Sequence, residues 1–239
     1  MQSVESLHQA RDFYAVNRGG GLFSEAVSQR IGAHLAVVSE RAGIAPSALS
    51  LANLVICGAV SVAVVVLAPA MAAGSVVPWL VGLIALLAWQ LAYALDCADG
   101  QLARVTGRAS PAGGRLDVLC DVAAQIGLVT SLSAVAVAYR PQTPVWLVAA
   151  FVGTWMVNLV TSVMQSGPAA ASMVPSRSLP VRVVKLIRDY GAVIALAGLV
   201  LTIAPQWTVA VLWLFTVVNG VFLVASIAFS TRAALRASH

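Results

Sequence analysis

Long apolar runs recur along this chain and constrain its fold more than any other feature. Of its 239 residues, 60% are hydrophobic and 10% are charged, whereas soluble domains carry about 25% charged residues. A run of about 20 apolar residues can cross a bilayer as a helix. The runs cover residues 50–73, 75–97, 116–139, 144–165, 186–204 and 207–230. The sequence therefore predicts an all-α integral membrane bundle of six transmembrane helices.

Basic residues fall almost entirely on one side of these predicted spans. Of the 14 Lys and Arg residues, only Arg140 lies in a connection on the opposite side. The positive-inside rule then predicts a multi-pass cell-membrane protein with both termini and both long connections in the cytoplasm. The net charge of +5 indicates attraction to anionic lipid or phosphate. We expect no nucleic-acid binding, because no basic face carries interleaved aromatic residues. No signal peptide is evident, so we expect the first span to direct insertion.

The region before the first span has helical periodicity. Apolar residues recur at helical spacing with polar residues largely between them, which predicts an amphipathic helix in the cytoplasmic interface. A lead-in helix packed on the bundle is an alternative, and the two are compatible. The apolar set comprises Leu22, Phe23, Ala26, Val27, Ile31, Leu35 and Val38. The predicted division is therefore a cytoplasmic N-terminus at 1–49, a membrane domain at 50–230 and a cytoplasmic tail at 231–239.

Four aspartates stand at the cytoplasmic ends of the second and third predicted spans. Asp96 and Asp99 are three residues apart, and Asp117 and Asp121 are four apart, so each pair projects from one helix face. An ionised Asp at the bilayer centre costs about 2.5–3.5 kcal/mol and less toward the interface. Two such faces brought together would form an oxygen cage for a hard divalent cation such as Mg²⁺, Mn²⁺ or Ca²⁺. Gly113 and Gly114 are expected in the turn before the third span.

The aspartates could also serve a purely structural role or a transport role. A salt-bridged hairpin would pair them with Arg104, Arg108 and Arg115. A cation transporter would use them as an ion pathway, but the acids cluster at one membrane face. The three cysteines show no CxxC spacing, so we expect neither a disulfide framework nor a zinc site.

The acidic segment also resembles a known family. Residues 96–121 fit the pattern D-x2-D-G-x2-A-R-x8-G-x3-D-x3-D without a mismatch, which resembles the signature of the CDP-alcohol phosphotransferase family. The resemblance implies transfer of a phosphatidyl (substituted phosphate) group from a CDP-alcohol, commonly CDP-diacylglycerol, to a second alcohol, with release of CMP. It also implies a homodimer, and a site that binds two Mg²⁺ or Mn²⁺ ions.

Residue roles follow from the resemblance position by position. Asp96, Asp99 and Asp117 would bind metal, and Asp121 would be a further metal ligand, the catalytic general base, or both. The CDP-alcohol pocket would include Asp96, Asp99, Gly100, Ala103, Arg104 and Gly113. Many relatives carry "PN" followed closely by Thr before the first span, whereas this chain reads "PSALS". Pro46, Ser47 and Ser50 are therefore the corresponding candidates for this pocket.

The acceptor is predicted from the basic connection between the fourth and fifth spans. Arg and Lys bind phosphate well, so the expected acceptor is a phosphorylated polyol such as inositol phosphate or glycerol phosphate. Serine, another neutral alcohol and a phospholipid are alternatives. The candidate acceptor residues are Arg177, Arg182, Lys185, Arg188 and Asp189.

Overall fold

The computed structural model describes residues 8–17, 21–164 and 189–237, and this part of the chain contains helices and no strand. The α-helices are α1 Ala10–Ala15, α2 Gln29–Arg41, α3 Pro46–Ala72, α4 Pro78–Val105, α5 Pro111–Tyr139, α6 Val145–Met164, α7 Tyr190–Ile203 and α8 Thr208–Ala237. A short π-helix, Ser24–Ser28, precedes α2, and a 3₁₀ turn, Pro205–Trp207, precedes α8. The predicted all-helical class is confirmed for these residues.

Four helical stretches are long and apolar enough to cross a membrane. They are Pro46–Ala72, Pro78–Val105, Pro111–Tyr139 and Pro205–Arg232, and they indicate a membrane protein. The fourth and fifth predicted spans correspond to shorter apolar stretches, Val145–Val157 and Tyr190–Ile203. Within the described residues, length and composition therefore support four of the six predicted spans.

Proline, serine and glycine set the boundaries of the helices around the aspartates. Pro111 occupies the first turn of α5, and the Ser110 side chain accepts a hydrogen bond from Gly113 N at 3.0 Å. Pro is favoured at this position because it has no N–H to leave unpaired. As a result, Gly113 and Gly114 lie inside the first turn of α5, not in a turn before it. Gly107, with φ of 66°, follows α4 in the left-handed region that glycine tolerates best.

The membrane core combines close backbone packing with paired polar groups. A Cβ at Gly198 of α7 would lie 2.7 Å from Leu86 Cα of α4, so glycine permits the two helices to touch. Trp89 donates to Ser61 Oγ at 3.1 Å, and Trp155 donates to Gln125 Oε1 at 3.1 Å. These bonds leave neither indole N–H unpaired in an apolar environment.

The N-terminal elements pack against the end of α4 that carries the aspartates. Phe13 is fully buried, in a cluster with Ala33, Ala36, Leu49, Ala98 and Leu102. Gln101 donates to Asn17 Oδ1 at 2.9 Å and to Gln29 O at 3.0 Å. Helix α2 is therefore packed on the bundle, as one of the two interpretations of the sequence expected. Its location in the membrane interface remains a prediction.

Candidate metal centre

Two helix ends bring the aspartates together. Asp96 and Asp99 lie in the final turns of α4, and Asp117 and Asp121 lie in the first turns of α5. Carboxylate oxygens of Asp96, Asp99 and Asp117 lie within 4.8 Å of one another. Asp121 is adjacent and interacts electrostatically with Asp96. The structure thus brings all four predicted residues into one cluster.

The cluster fits a hard divalent cation. Such ions bind carboxylate oxygens at about 2.0–2.6 Å, so two ligands on opposite sides of one ion are separated by about 4–5 Å, close to the observed spacing. Asp99 is buried, and Asp96 and Asp117 are partly exposed. The site can therefore exchange a ligand with its surroundings while the protein shields one side of it.

Helix α3 completes the inner wall of the cluster with two neutral donors. The Ser50 hydroxyl donates to Asp99 Oδ2, and Asn53 Nδ2 donates to Asp96 Oδ1 at 3.3 Å. Both side chains are buried, with 3% and 4% of their surface exposed. Pro46 begins α3 and Ser47 is exposed in its first turn, so only Ser50 of the three predicted residues contacts an aspartate in these bonds.

Sequence reasoning missed Asn53. It belongs to no motif recognised in the sequence, and its partner is 43 residues away. The available signal was an amide side chain in an apolar run, three residues after Ser50. A polar residue at such a position requires a partner.

The predicted nucleotide residues lie on both sides of the connection between α4 and α5. Gly100, Ala103 and Arg104 are in α4, and Gly113 is in α5. A Cβ at Gly100 would lie 3.0 Å from Arg104 Nη1, so Gly100 leaves room for the guanidinium to fold back along the helix. Arg104 also interacts electrostatically with Asp117, which places one cation beside the carboxylates.

A small cavity lies next to Asp96 and Asp121, between α3, α4, α5 and α7. Its volume is about 10 Å³ and its polar lining includes Asn53, Tyr93 and Tyr190. A cavity of about this size holds roughly one water molecule.

Asp189 is the described member of the predicted acceptor site, because Arg177, Arg182, Lys185 and Arg188 lie outside the described residues. Its side chain caps α7 by accepting from Gly191 N at 3.1 Å. It also accepts from Phe23 N at 2.8 Å, from Ser24 N at 3.0 Å and from the Ser24 hydroxyl. These contacts attach the N-terminal segment to the start of α7, and a role in acceptor binding remains a prediction.

Comparison with models of known protein families identifies residues 43–231 as CDP-alcohol phosphatidyltransferase. The match includes α3 to α7, all four clustered aspartates and the two donors from α3. Comparison with curated proteins returned no match. The matched region covers most of the 239 residues. The chain therefore belongs to the CDP-alcohol phosphatidyltransferase family, membrane transferases of substituted phosphate groups that act in phospholipid biosynthesis.

Proposed function

We propose that this protein transfers the phosphatidyl group of CDP-diacylglycerol to a hydroxyl of a phosphorylated polyol, inositol phosphate or glycerol phosphate. The observation that carries the proposal is the group of three carboxylates, from two helices, within 4.8 Å of one another. An all-oxygen set of this kind suits Mg²⁺ or Mn²⁺. Two such ions, held by Asp96, Asp99, Asp117 and Asp121, would offset the charge of the pyrophosphate and of the departing CMP.

The protein's own residues would orient the donor and accept a proton. Arg104, with Gly100, Ala103 and Gly113 leaving space for the nucleotide, would contact the phosphates or the nucleoside. Asp121 would accept the proton of the acceptor hydroxyl while the oxygen of that hydroxyl bonds to the β-phosphorus of the donor. The bond between that phosphorus and the oxygen bridging to CMP breaks, and CMP leaves with the bonding electrons.

The proposed acceptor rests on charge and connectivity. The segment from Arg177 to Arg188 carries four basic residues and leads directly into Asp189 and Tyr190. Tyr190 lines the same cavity as Asp96 and Asp121, and its ring contacts that of Tyr93 at a centroid distance of 5.0 Å. The basic segment is therefore joined to the bundle beside the cluster, where a phosphorylated acceptor would need cations.

We also propose a membrane arrangement. The cluster and both termini would face the cytoplasm, as the distribution of basic residues predicts. Ile31 and Val38 of α2 are 44% and 63% exposed, which supports contact of this helix with the membrane interface. The catalytic membrane domain would comprise residues 50–230, and the active form would be a homodimer.

A test uses purified protein, Mg²⁺ or Mn²⁺, and CDP-diacylglycerol labelled in its diacylglycerol part. Inositol phosphate, glycerol phosphate, serine and a phospholipid are supplied separately. We expect CMP and a labelled product with a phosphorylated polyol. Asp121→Asn should abolish transfer, while Asp12→Asn, which changes an aspartate in α1, should retain it. CMP release without any acceptor, or release unaffected by Asp121→Asn, would contradict the proposal.

A further inference from the structure

Two residues of α3 match two aspartates of α4 in spacing. Ser50 and Asn53 are three residues apart, as are Asp96 and Asp99, so each pair lies on one helix face. Ser50 near the start of α3 bonds Asp99 near the end of α4, and Asn53 bonds Asp96 one turn further into the bundle. Each of these two carboxylates of α4 therefore receives a hydrogen bond from one neutral donor on α3.

The direction of the Asn53 bond follows from chemistry. A carboxylate only accepts hydrogen bonds, whereas an amide side chain has one donating and one accepting end. Turning the amide around would set its oxygen against the Asp96 oxygen. The buried Asn53 side chain therefore presents its NH₂ group to Asp96, which directs the carboxylate.

A neutral donor has an advantage over a cation at this position. Lys or Arg would direct Asp96 equally well, but would offset the negative charge that attracts a divalent ion. An amide leaves that charge intact and occupies only Oδ1. Asn53 therefore does not compete for the other oxygen of Asp96.

We propose that Asn53 is a positioning residue that holds the Asp96 carboxylate in its metal-binding orientation. This inference rests on the proposed metal site. Partners that orient a metal ligand typically change metal affinity by about 10-fold to 100-fold when they are removed. Loss of the Asn53 amide should therefore weaken metal binding without removing any ligand.

The test compares Asn53→Leu, which keeps a similar volume and removes the donor, with the unaltered protein. Mn²⁺ binding to purified protein without substrate is measured by electron paramagnetic resonance. We expect the Mn²⁺ dissociation constant to rise about 10-fold or more. In turnover, the half-saturating Mn²⁺ concentration should rise in parallel, while kcat at saturating Mn²⁺ changes little. Asn53→Gln, which retains the amide, should recover part of the affinity.

A matched control lies two turns further along α3. Ser61 is also buried and accepts a hydrogen bond from Trp89, so Ser61→Ala removes a buried hydrogen bond that involves none of the aspartates. It should lower the midpoint temperature of thermal unfolding without changing Mn²⁺ affinity. If Asn53→Leu behaves in the same way, the residue is only structural and the inference is wrong. If Asn53→Leu does not fold, Asn53→Ala, which also removes the donor, replaces it under the same criteria.

Asp96→Asn separates this inference from the proposed function. If Asp96→Asn loses Mn²⁺ binding and Asn53→Leu binds normally, the metal site stands and the role of Asn53 is rejected. If Asp96→Asn also binds Mn²⁺ normally, the metal site itself is rejected.

Discussion

Asp99 and Asp189 are equally buried, with 4% of each exposed, but their surroundings differ. Asp189 accepts hydrogen bonds from three backbone N–H groups and one hydroxyl. Asp99 receives one hydroxyl from α3 and lies among other carboxylates. A buried charge needs compensation, and within the described part of the chain Asp189 obtains it from N–H and O–H donors. The carboxylates around Asp99 repel one another, and a bound divalent cation would relieve that repulsion.

The strongest test of this contrast is Asp96→Asn. Removing one carboxylate from the cluster should lower transferase activity by at least about 100-fold, since the electrostatic stabilisation of the transition state depends on correctly placed charge. Activity is measured as CMP release from CDP-diacylglycerol at saturating Mg²⁺. The folded state should persist, because the change also removes repulsion within the cluster. Activity within a few-fold of the unaltered protein would show that the cluster is not the catalytic centre.

Asp189→Asn should have the opposite effect, because it should reduce stability and leave metal binding unchanged. The new NH₂ group would face donors that now meet a carboxylate oxygen, and hydrogen bonds to a charged group contribute about 1.5–3 kcal/mol each. We expect a lower midpoint temperature of thermal unfolding in detergent and unchanged Mn²⁺ affinity of the folded fraction. If thermal stability is unchanged and the KM for the acceptor rises, Asp189 acts in acceptor binding instead.

A smaller effect is expected where the N-terminal segment meets Asp189. A Cβ at Gly21 would overlap the Asp189 carboxylate, so Gly21→Ala should reduce stability by about 1–3 kcal/mol. Gly58→Ala is the matched control, because a Cβ at Gly58 has no neighbour within 4 Å among the described residues. Thermal unfolding of both variants measures the difference. Equal midpoint temperatures of the two variants would show that Gly21 is not in close contact with Asp189.

The smallest expected effect is at the start of α5. Ser110→Ala removes the side-chain acceptor for Gly113 N, and loss of such a cap typically costs about 1 kcal/mol. The midpoint temperature should fall slightly. Ser110→Asp, which keeps an acceptor, should restore it. A midpoint unchanged in Ser110→Ala would mean that Pro111 alone is sufficient to start the helix.

Local sequence patterns predicted much of the aspartate cluster and little of the hydrogen bonding that supports it. The spacings of Asp96, Asp99, Asp117 and Asp121 define helix faces, so their convergence could be predicted once the two spans were recognised. The contacts of Asn53 with Asp96 and of Ser24 with Asp189 depend on how distant helices align along their axes. Their partners are 43 and 165 residues apart, and helical periodicity carries no information about such alignment. The start of α5 was placed too late because the apolar run begins after the cap and first turn.

The bonds between the N-terminal segment and Asp189 also affect the order in which the protein is assembled. A ribosome makes residues 21–24 long before Asp189, so their backbone N–H groups cannot reach this acceptor until helices α2 to α6 and the residues that follow them have been synthesised. Contacts of such high sequence separation form late in folding. Residues 21–24 can therefore form these bonds only after the start of α7 has been made, whereas Phe13 can already pack on α4.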